Sequence, residues 1–392
     1  MISIEEALTE VLALAGPIEA ETVPLRAACG RVLAAPAIAQ LTQPPFDAAS
    51  MDGYAVSTAD HTPGAQLRVV GESSAGAGYA GTLASGEALR IFTGAPVPAG
   101  ADWVVIQEDI TREGALITLP AQLDPQPNIR PRGQDFATGT RLAAPLRLAP
   151  RHIGLLAAMN VPTVSVARRP VVAVIATGNE LVMPGESPGP DQIICSNSFA
   201  LVAMAEAAGA EARLLPIARD NEAALLEAFK LAESADVIVT SGGASVGEYD
   251  LVGRVAETLG LKRAFWKVAM RPGKPLMAGR MGKTVLLGLP GNPVSAFVTA
   301  RLFLLPLLET MQGLAGGHRP QRARLAAAVS ANGARTHYMR ARLGAGDAPT
   351  IAPFDAQDSA LLTILTEADA LLIRPAEDGP RAVGDWVDYL PL

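Results

Sequence analysis

Four short apolar runs in the second half of the chain are each followed by a polar or glycine-rich motif. The runs span residues 171–176, 212–217, 235–240 and 284–289. Their length and their mostly branched residues are typical of strands that are covered on both faces. The motifs that follow are Thr177-Gly-Asn-Glu180, Ala218-Arg-Asp220, Ser241-Gly-Gly-Ala-Ser-Val-Gly-Glu-Tyr-Asp250 and Pro290-Gly-Asn-Pro293. Because the carboxyl ends of parallel strands form the ligand crevice of an α/β sheet, the pattern predicts one large shared site.

Helical patterns alternate with these runs, and their ends carry the residues that helix ends require. The predicted helices span 198–208 before Gly209, 221–232 with Asp220 as a plausible N-cap, 250–259 before Gly260, and 295–311. Such alternation predicts right-handed crossovers and a doubly wound sheet.

The pattern changes on both sides of this α/β stretch. Residues 3–15 predict a helix opened by a capping box of Ser3 and Glu6. Residues 41–147 are punctuated by Gly and Pro with short apolar runs between them, which is typical of a small β domain. Residues 150–159 predict a helix that returns to the first segment. After Pro320, four short runs predict a second β module, at 323–329, 337–343, 370–374 and 386–390.

Composition narrows the class of protein. The chain has 392 residues, more than one ordinary core holds, and a net charge of −7, which argues against a nucleic-acid surface. No apolar run approaches the roughly 20 residues of a membrane helix, and the N-terminus lacks a basic region and an apolar signal core, so we expect a cytoplasmic protein that does not bind membranes. With 2 Cys and 4 scattered His, a zinc or haem site is not expected.

Each motif also has a plainer structural interpretation. Thr177-Gly-Asn-Glu180 could form a tight turn, and Asp220 and Asp250 could be N-caps as readily as metal ligands. The Gly pair after Ser241 could serve packing, although such pairs also let backbone N–H groups approach phosphate. Cations for a local anion site are concentrated in Lys267-Val-Ala-Met-Arg-Pro-Gly-Lys274. The coincidence of four motifs on one rim favours a functional site.

Six ordered motifs resemble those of the molybdopterin molybdenumtransferase family, which includes MoeA and the gephyrin E domain. They are Met51-Asp-Gly-Tyr-Ala55, Thr177-Gly-Asn-Glu-Leu181, Cys195-Ser-Asn-Ser198, the run from Ser241, Arg271-Pro-Gly-Lys-Pro275 and Gly288-Leu-Pro-Gly-Asn-Pro293. The resemblance covers nearly the full chain. It implies a hinge region at 1–41 and 141–168, a β-rich inserted domain at 42–140, an α/β molybdopterin-binding domain at 169–316 and a C-terminal β-barrel-like module at 317–392.

The resemblance also implies a reaction. The family inserts molybdate into adenylylated molybdopterin, releases AMP and yields molybdenum cofactor, with Mg²⁺ as the implied metal. It further implies a homodimer in which Asp52 of one subunit approaches the cleft of the other. Molybdopterin adenylyltransferase and apo-molybdoenzymes or their chaperones are further candidate partners.

Site residues are carried over from the family by position. The expected catalytic residues are Asp52, Glu180, Asp220, Asp250 and Lys267, of which Glu180, Asp220 and Asp250 are expected metal ligands. The residues expected to bind substrate are Thr177, Gly178, Ser196, Asn197, Ser241, Gly242, Gly243, Ser245, Arg271, Gly273, Lys274, Pro290, Gly291, Asn292, Pro293, Arg340, Ser359 and Arg130. Arg340 and Ser359 match positions implicated in oxyanion binding.

Two other functions stay open at this stage. One is a scaffold protein that keeps the pterin fold without metal insertion, and the cleft's charged motif residues count against it. The other is a pyrophosphatase of the related competence-damage group, which shares the α/β domain. The Met51-Asp-Gly-Tyr54 segment and the C-terminal module argue against that second alternative.

Overall fold

The structure, a computed structural model, describes residues 1–243, 251–346 and 349–392. It begins with one helix and three short strands, α1 (Ile4–Ala13), β1 (Ala20–Pro24), β2 (Val32–Leu33) and β3 (Ala37–Ile38). Ser3 caps α1, and its capping box with Glu6 is present as predicted. The apolar face of α1, with Ile4, Ala7 and Val11, packs into the core of the α/β domain. This helix therefore packs with the α/β domain, whereas the sequence analysis grouped it with the hinge.

The inserted β domain contains eight strands. They are β4 (Ala48–Ala49), β5 (Gly53–Val56), β6 (Gln66–Ser73), β7 (Glu87–Ile91), β8 (Trp103–Ile106), β9 (Thr111–Glu113), β10 (Leu116–Thr118) and β11 (Ile129–Arg130). Six of them form a sheet in the order β8-β5-β7-β6-β10-β9, and β11 pairs with β4. Two clusters of buried apolar side chains lie on this domain, as the Gly- and Pro-punctuated pattern predicted.

The chain then returns to the hinge. This segment contains β12 (Arg141–Leu142), β13 (Leu146–Arg147), α2 (Pro150–Ala158) and β14 (Thr163–Ala167). The hinge sheet has the order β1-β14-β2-β13, so its strands come from both ends of the insertion. Leu156 of α2 is buried in the same cluster as Leu33 and Val166, which confirms that this helix packs against the first segment.

The α/β domain contains the strands that the four apolar runs predicted. Its elements are β15 (Val171–Ala176), β16 (Leu181–Val182), β17 (Ile193–Ile194), α3 (Asn197–Ala207), β18 (Glu211–Leu214), α4 (Glu222–Leu231), β19 (Val237–Ser241), α5 (Leu251–Thr258), β20 (Leu261–Trp266), β21 (Met270–Arg271), β22 (Met277–Met281), β23 (Thr284–Leu289), α6 (Pro293–Thr299) and α7 (Leu305–Met311). The main sheet has the order β18-β15-β19-β23-β22-β20. Strand β22 runs antiparallel to both of its neighbours, β20 and β23, which the apolar pattern did not predict.

Alternate residues of the central strands face opposite layers of helices. Val172 and Val174 of β15 pack in one cluster with α1, α3, α6 and α7, while Ala173 and Ile175 pack in another with α4 and α5. Burial on both faces is the reason why these strands are continuously apolar. The predicted doubly wound arrangement is therefore confirmed.

The helix from Pro293 to Met311 contains α6, a π-helical turn at Ala300–Leu304 and α7. By length and composition it could cross a membrane, with a mean hydropathy of 1.5, although the sequence analysis found no run of that kind. In the structure 72% of its most apolar window is buried inside the protein. It is thus buried like the core helix of a soluble protein.

The C-terminal module is a small closed sheet. Its elements are β24 (Gln321–Leu325), β25 (Thr336–Gly344), β26 (Thr350–Pro353), α8 (Leu362–Glu367), β27 (Ala370–Arg374) and β28 (Trp386–Pro391). The strand order is β21-β25-β26-β24-β28-β27, and β27 also pairs with β25. This last pairing closes a five-stranded barrel, to which β21 of the α/β domain adds as an outer strand. The predicted barrel-like module is confirmed.

Candidate active site

A cleft of about 1060 Å³ opens at the carboxyl ends of β15, β19 and β23. All four strand-end motifs contribute to its lining, so the predicted convergence on one rim is confirmed. The predicted site residues that line it are Thr177, Gly178, Glu180, Ser196, Asn197, Asp220, Ser241, Gly242, Gly243, Pro290, Gly291, Asn292 and Pro293. Asp250 and Ser245 lie outside the described residues.

Backbone hydrogen bonds join the neighbouring strand ends into one floor. The Thr177 N–H donates to the Ser241 carbonyl at 3.0 Å, and the Gly242 N–H donates to the Leu289 carbonyl at 3.3 Å. The Asn197 side-chain amide then donates to Ser241 Oγ at 3.0 Å and to the Gly291 carbonyl at 2.7 Å. The first residue of α3 thus ties two strand ends together across the cleft.

Two consecutive glycines after β19 bring bare backbone to this floor. Gly242 and Gly243 have φ of 93° and 64°, and a Cβ on Gly242 would lie 2.5 Å from the Thr177 carbonyl oxygen. The Thr177 hydroxyl is buried and has no hydrogen-bond partner among the described residues. An unpaired buried hydroxyl beside backbone without Cβ atoms is suited to an anionic group of a ligand.

The first two motifs hold one another in place. The Asn179 N–H donates to Asp220 Oδ2 at 3.2 Å, and the Asp220 N–H donates to Asn179 Oδ1 at 3.1 Å. Arg219 donates to the carbonyls of Asn179 and Leu181 at 2.9 and 3.1 Å. The loop that carries Glu180 is therefore clamped from the neighbouring strand end, which the sequence analysis did not anticipate.

Asp220 is not the N-cap of the following helix. Asn221 occupies that position, and its side chain accepts a hydrogen bond from the Ala224 N–H at 2.9 Å. The structural interpretation of Asp220 as a cap is thus wrong, because the chain turns one residue later than the pattern indicated. The Asp220 carboxylate instead lies on the rim, where one oxygen accepts from Asn179.

The cleft carboxylates form a sparse set of oxygen donors. Within the described ranges, no group of three His, Cys, Asp or Glu side chains is placed to hold a metal ion. Glu180 and Asp220 both line the cleft, and an ideal Cβ at Gly178 would lie 2.5 Å from a Glu180 carboxylate oxygen. Glycine at 178 therefore leaves the space that the Glu180 carboxylate occupies.

The cationic segment, residues 267–274, lies beside the cleft: none of its residues lines the cleft, whereas the next residue, Pro275, does. Lys267 has φ of 75°, its carbonyl accepts from the Ile2 N–H at 3.2 Å, and its Nζ lies 4.3 Å from the centroid of the Trp266 ring. Arg271 pairs with His337 across β21 and β25. This segment therefore joins the N-terminus, the α/β domain and the C-terminal module.

Arg340 is a buried residue of the C-terminal module. Its side chain is only 2% exposed, and it donates to the Asp358 carbonyl at 2.8 Å and to Gln357 Oε1 at 3.2 Å. The sequence analysis expected a cation that meets Lys274 at an oxyanion, whereas this guanidinium is occupied by its own module. The reason is that Arg340 lies on the outer face of the barrel, opposite to Met339 and Ala341, where residues 356–361 cover it.

Ser359 nevertheless bonds to Asn292, which lines the cleft. Its Oγ accepts from the Asn292 side-chain amide at 3.0 Å, its carbonyl accepts from the Val294 N–H at 3.0 Å, and the next residue, Ala360, lines the cleft. The hydroxyl therefore lies at the boundary between the α/β domain and the C-terminal module.

His337 is buried beside several arginine side chains of the C-terminal module and the neighbouring strand β21. Burial first, and then the guanidinium groups of Arg271, Arg340, Arg374 and Arg335, lower the pKa of His337 to about 4. The imidazole is therefore neutral at physiological pH, and it adds no charge to a strongly cationic interior.

Asp52 and Arg130 lie in the inserted β domain and do not line the cleft of their own chain. Asp52 Oδ1 accepts from the Thr93 N–H at 2.8 Å and from its hydroxyl at 2.7 Å. These two hydrogen bonds hold the pKa of the Asp52 carboxyl below its usual range. Arg130 is exposed on β11.

Several cleft residues were missed by sequence reasoning, among them Arg254, Ile193 and Ile194. Arg254 lines the cleft from α5, and Ile193 and Ile194 line it with exposed fractions of 58% and 39%. A signal existed for Arg254, since it lies one helical turn after the start of the predicted helix that follows the glycine motif. The two isoleucines carry no such signal, because the sequence does not distinguish an exposed apolar strand residue from a buried one.

Comparison with known families covers almost the whole chain. The MoeA N-terminal region (domain I and II) matches residues 2–160, the probable molybdopterin binding domain matches residues 173–310, and the MoeA C-terminal region (domain IV) matches residues 322–392. The second of these ranges contains the carboxyl end of every strand that borders the cleft.

Individual relatives agree with these matches. The molybdopterin molybdenumtransferase of Nostoc sp. is 41% identical over 77% of this chain and 72% of its own length. Molybdopterin molybdenumtransferase 2 of Mycobacterium tuberculosis is 36% identical over 98% of both chains. A crystal structure of the molybdopterin biosynthesis MoeA protein from Pyrococcus horikoshii has a TM-score of 0.83 at 32% identity, covering 100% of this chain and 99% of that one. The chain therefore belongs to the molybdopterin molybdenumtransferase family.

Proposed function

We propose that this protein inserts molybdate into adenylylated molybdopterin, releasing AMP and forming molybdenum cofactor. The observation that carries the proposal is the convergence of four strand-end motifs on one cleft of about 1060 Å³, within the range that matches the molybdopterin binding domain. A cleft of this size accommodates a ligand with a pterin at one end and an adenylate at the other. The role in molybdenum cofactor biosynthesis follows from family membership.

The cleft floor supports binding of the phosphoanhydride. Gly242 and Gly243 bring bare backbone beside the buried Thr177 hydroxyl, and the Asn197 side-chain amide holds this floor in place by donating to Ser241 and Gly291. Donors fixed before the ligand arrives need no reorganisation when charge develops on the phosphate. The predicted substrate contacts of the α/β domain therefore form a preorganised anion site.

Glu180 and Asp220, with Asp250, are proposed to hold Mg²⁺. Both of the described carboxylates line the cleft, and Asp220 keeps one oxygen that accepts no hydrogen bond within the described chain. Mg²⁺ takes one or two carboxylates together with phosphate oxygens and water, so this donor set fits. When bound, the ion would screen negative charge on the phosphoanhydride.

The residues themselves have separate tasks. Glu180 and Asp220 are held by the clamp of Asn179 and Arg219, so their carboxylates stay on the rim as the phosphoanhydride is cleaved. Molybdate can act on the adenylate without a protein nucleophile, and we assign none. Lys267, Arg271 and Lys274, on the loop that contains Gly273, are proposed to attract molybdate from beside the cleft. Ser359 is proposed to act at the boundary with the C-terminal module, on the loop that Arg340 holds.

The site is proposed to be completed by a second subunit. Asp52 does not line the cleft of its own chain, and its carboxylate is held ready by Thr93. In a homodimer, Asp52 and Arg130 of the β domain would approach the partner's cleft. We place the protein in the cytoplasm, between molybdopterin adenylyltransferase and the apo-molybdoenzymes or their chaperones.

Replacing Glu180 by Gln tests the proposed chemistry. We expect AMP release at saturating Mg²⁺ to fall strongly, because the rim loses a charged oxygen donor while no core contact changes. Glu227→Gln, on the exposed face of α4, is the matched control and should keep wild-type turnover. The assay follows AMP and active cofactor together, with and without molybdate. AMP release without cofactor formation in the wild type would instead favour the pyrophosphatase alternative.

The shared site is tested by mixing subunits. An Asp52→Ala subunit and a Glu180→Gln subunit, each inactive alone, should regain part of the activity after exchange, because one of the two sites in a mixed dimer has both intact halves. Subunit exchange is verified by mass spectrometry of the intact dimer. No recovery after verified exchange would contradict a site built from two chains.

A further inference from the structure

One loop of the C-terminal module reaches the cleft of the α/β domain. Residues 354–361 follow β26, and Ser359 in this loop bonds to Asn292 through its hydroxyl and to the Val294 N–H through its carbonyl, both at 3.0 Å. Ala360 then lines the cleft itself. The position of this loop therefore decides what lies at one wall of the site.

The loop has little regular structure of its own, and two polar side chains hold it. Gln357 Oε1 accepts from the Arg340 N–H at 3.0 Å and from Arg340 Nη2 at 3.2 Å. Gln357 Nε2 donates to the carbonyls of Arg340 and Phe354, at 3.0 and 2.8 Å. Arg340 also donates to the Asp358 carbonyl at 2.8 Å. The side chain of Gln357 thus joins β25 to both ends of the loop's first turn.

Only a side-chain amide of this length can both accept hydrogen bonds from Arg340 and donate hydrogen bonds to the two carbonyls. The carbonyl oxygen of Gln357 accepts from a cation, while its NH₂ group donates to two carbonyls. A glutamate would keep the acceptor but lose both donors, and a methionine would lose both functions. Among the described residues, no carboxylate forms an ion pair with Arg340, so this buried charge depends on the neutral dipoles of Gln357 and the loop carbonyls.

We propose that Gln357 is a positioning residue that sets the 354–361 loop, and through Ser359 and Asn292 the molybdate-accepting wall of the cleft. The residue touches neither substrate nor cleft itself. Its effect passes from Gln357 through the loop backbone to Ser359 and then across to the α/β domain. This inference rests on the proposed function for the identity of the substrate, while the geometry of the clamp stands independently of it.

A double-mutant cycle between Gln357 and Asn292 tests the proposal. Gln357→Met and Asn292→Ala are each expected to raise the KM for molybdate about tenfold with a smaller change in kcat, since each removes a charge-assisted or buried hydrogen bond. The two residues make no hydrogen bond to each other, yet the double variant should be no worse than the poorer single variant, because both break the same chain of contacts. Glu367→Gln, in an exposed ion pair of the same module, is the control.

A second readout does not depend on activity. Hydrogen exchange followed by mass spectrometry should show faster exchange of the Val294 and Ala360 amides in Gln357→Met, with no change in β15 or β19. Gln357→Glu, which keeps the acceptor, should fall between the wild type and Gln357→Met. Additive effects in the cycle, or unchanged exchange at Val294 and Ala360, would overturn the proposal. Failure of the wild type to use molybdate would count against the proposed function alone, since the exchange experiment still tests the clamp.

Discussion

The α/β domain and the C-terminal module both contribute to the cleft, but they hold their site residues in different ways. In the α/β domain the motifs follow strands directly, and backbone bonds between adjacent strand ends, such as that from Thr177 to Ser241, fix the floor. In the C-terminal module Ser359 lies on a loop that depends on the side chains of Arg340 and Gln357. One wall of the site is therefore set by the topology of the sheet, and the other by a few buried polar contacts.

The largest effect is expected from a substitution that destabilises the C-terminal module alone. Asp378 pairs with Arg374 at 2.6 Å, and these side chains are 8% and 2% exposed. Asp378→Ala leaves the buried guanidinium without its carboxylate, which should lower the free energy of unfolding of the module by about 3–5 kcal/mol. Urea unfolding followed by the fluorescence of Trp386, in variants that keep only this tryptophan, measures it.

The same substitution in a second set of variants, which keep only Trp266, reports on the α/β domain. The α/β domain should keep most of its stability in Asp378→Ala, because its core does not include this pair. Asp388→Ala is the matched control, since its pair with Arg322 is exposed on both sides and is worth less than about 1 kcal/mol. An equal loss of stability at Trp266 and Trp386 would contradict the separation of the two regions.

The second prediction concerns the backbone floor of the α/β domain. Gly242 has φ of 93°, and a Cβ there would meet the Thr177 carbonyl oxygen at 2.5 Å. Gly242→Ala should therefore cost about 1–3 kcal/mol of stability from backbone strain and abolish most AMP release. Gly154→Ala is the control in α2, where a Cβ meets nothing within 4 Å, and it should raise stability by about 0.5–1 kcal/mol. Calorimetry and the AMP assay measure both variants.

The third prediction uses pH to probe the cationic interior of the C-terminal module. The unfolded chain binds a proton at His337 below its ordinary pKa of about 6.5, whereas the folded protein binds it only near a pKa of about 4. Stability should therefore fall as pH decreases through this window, by up to about 1.4 kcal/mol per pH unit from this residue. In His337→Gln, the free energy of unfolding should fall less steeply between pH 6.5 and pH 4, because the contribution of His337 to that slope is removed. An unchanged limb would show that the imidazole is protonated in the folded state.

The smallest expected effect on stability distinguishes the roles of two neighbouring residues of the cleft rim, Asn221 and Asp220. Asn221→Ala removes the cap of α4 and should lower stability by about 1 kcal/mol, with a modest change in activity. Asp220→Ala leaves that cap intact and should lower AMP release far more than stability. Thermal unfolding and the AMP assay on both variants decide the assignment. The reverse pattern would return Asp220 to a purely structural role.

Much of the α/β domain was predictable because its signals are local. Strands β15 and β23 have the predicted bounds, since apolar continuity reflects burial on both faces. The capping box of α1 and the motifs at the strand ends were predictable for the same reason, because a cap or a tight turn involves residues a few positions apart. The shared rim then follows from the rule that parallel strands end at one edge.

The tertiary structure alone decided which distant residues meet. Helix α1 packs with the α/β core, the cationic segment lies beside the cleft, and Arg340 bonds to the loop of its own module, although nothing in their local patterns indicates this. Asn292 and Ser359 bond across 67 positions of the chain. The sequence by itself determined the strands, the caps and the motifs that mark the site, because these depend on neighbouring residues. The wall supplied by the C-terminal module was decided only by folding, because it depends on packing and hydrogen bonds between segments that periodicity does not connect.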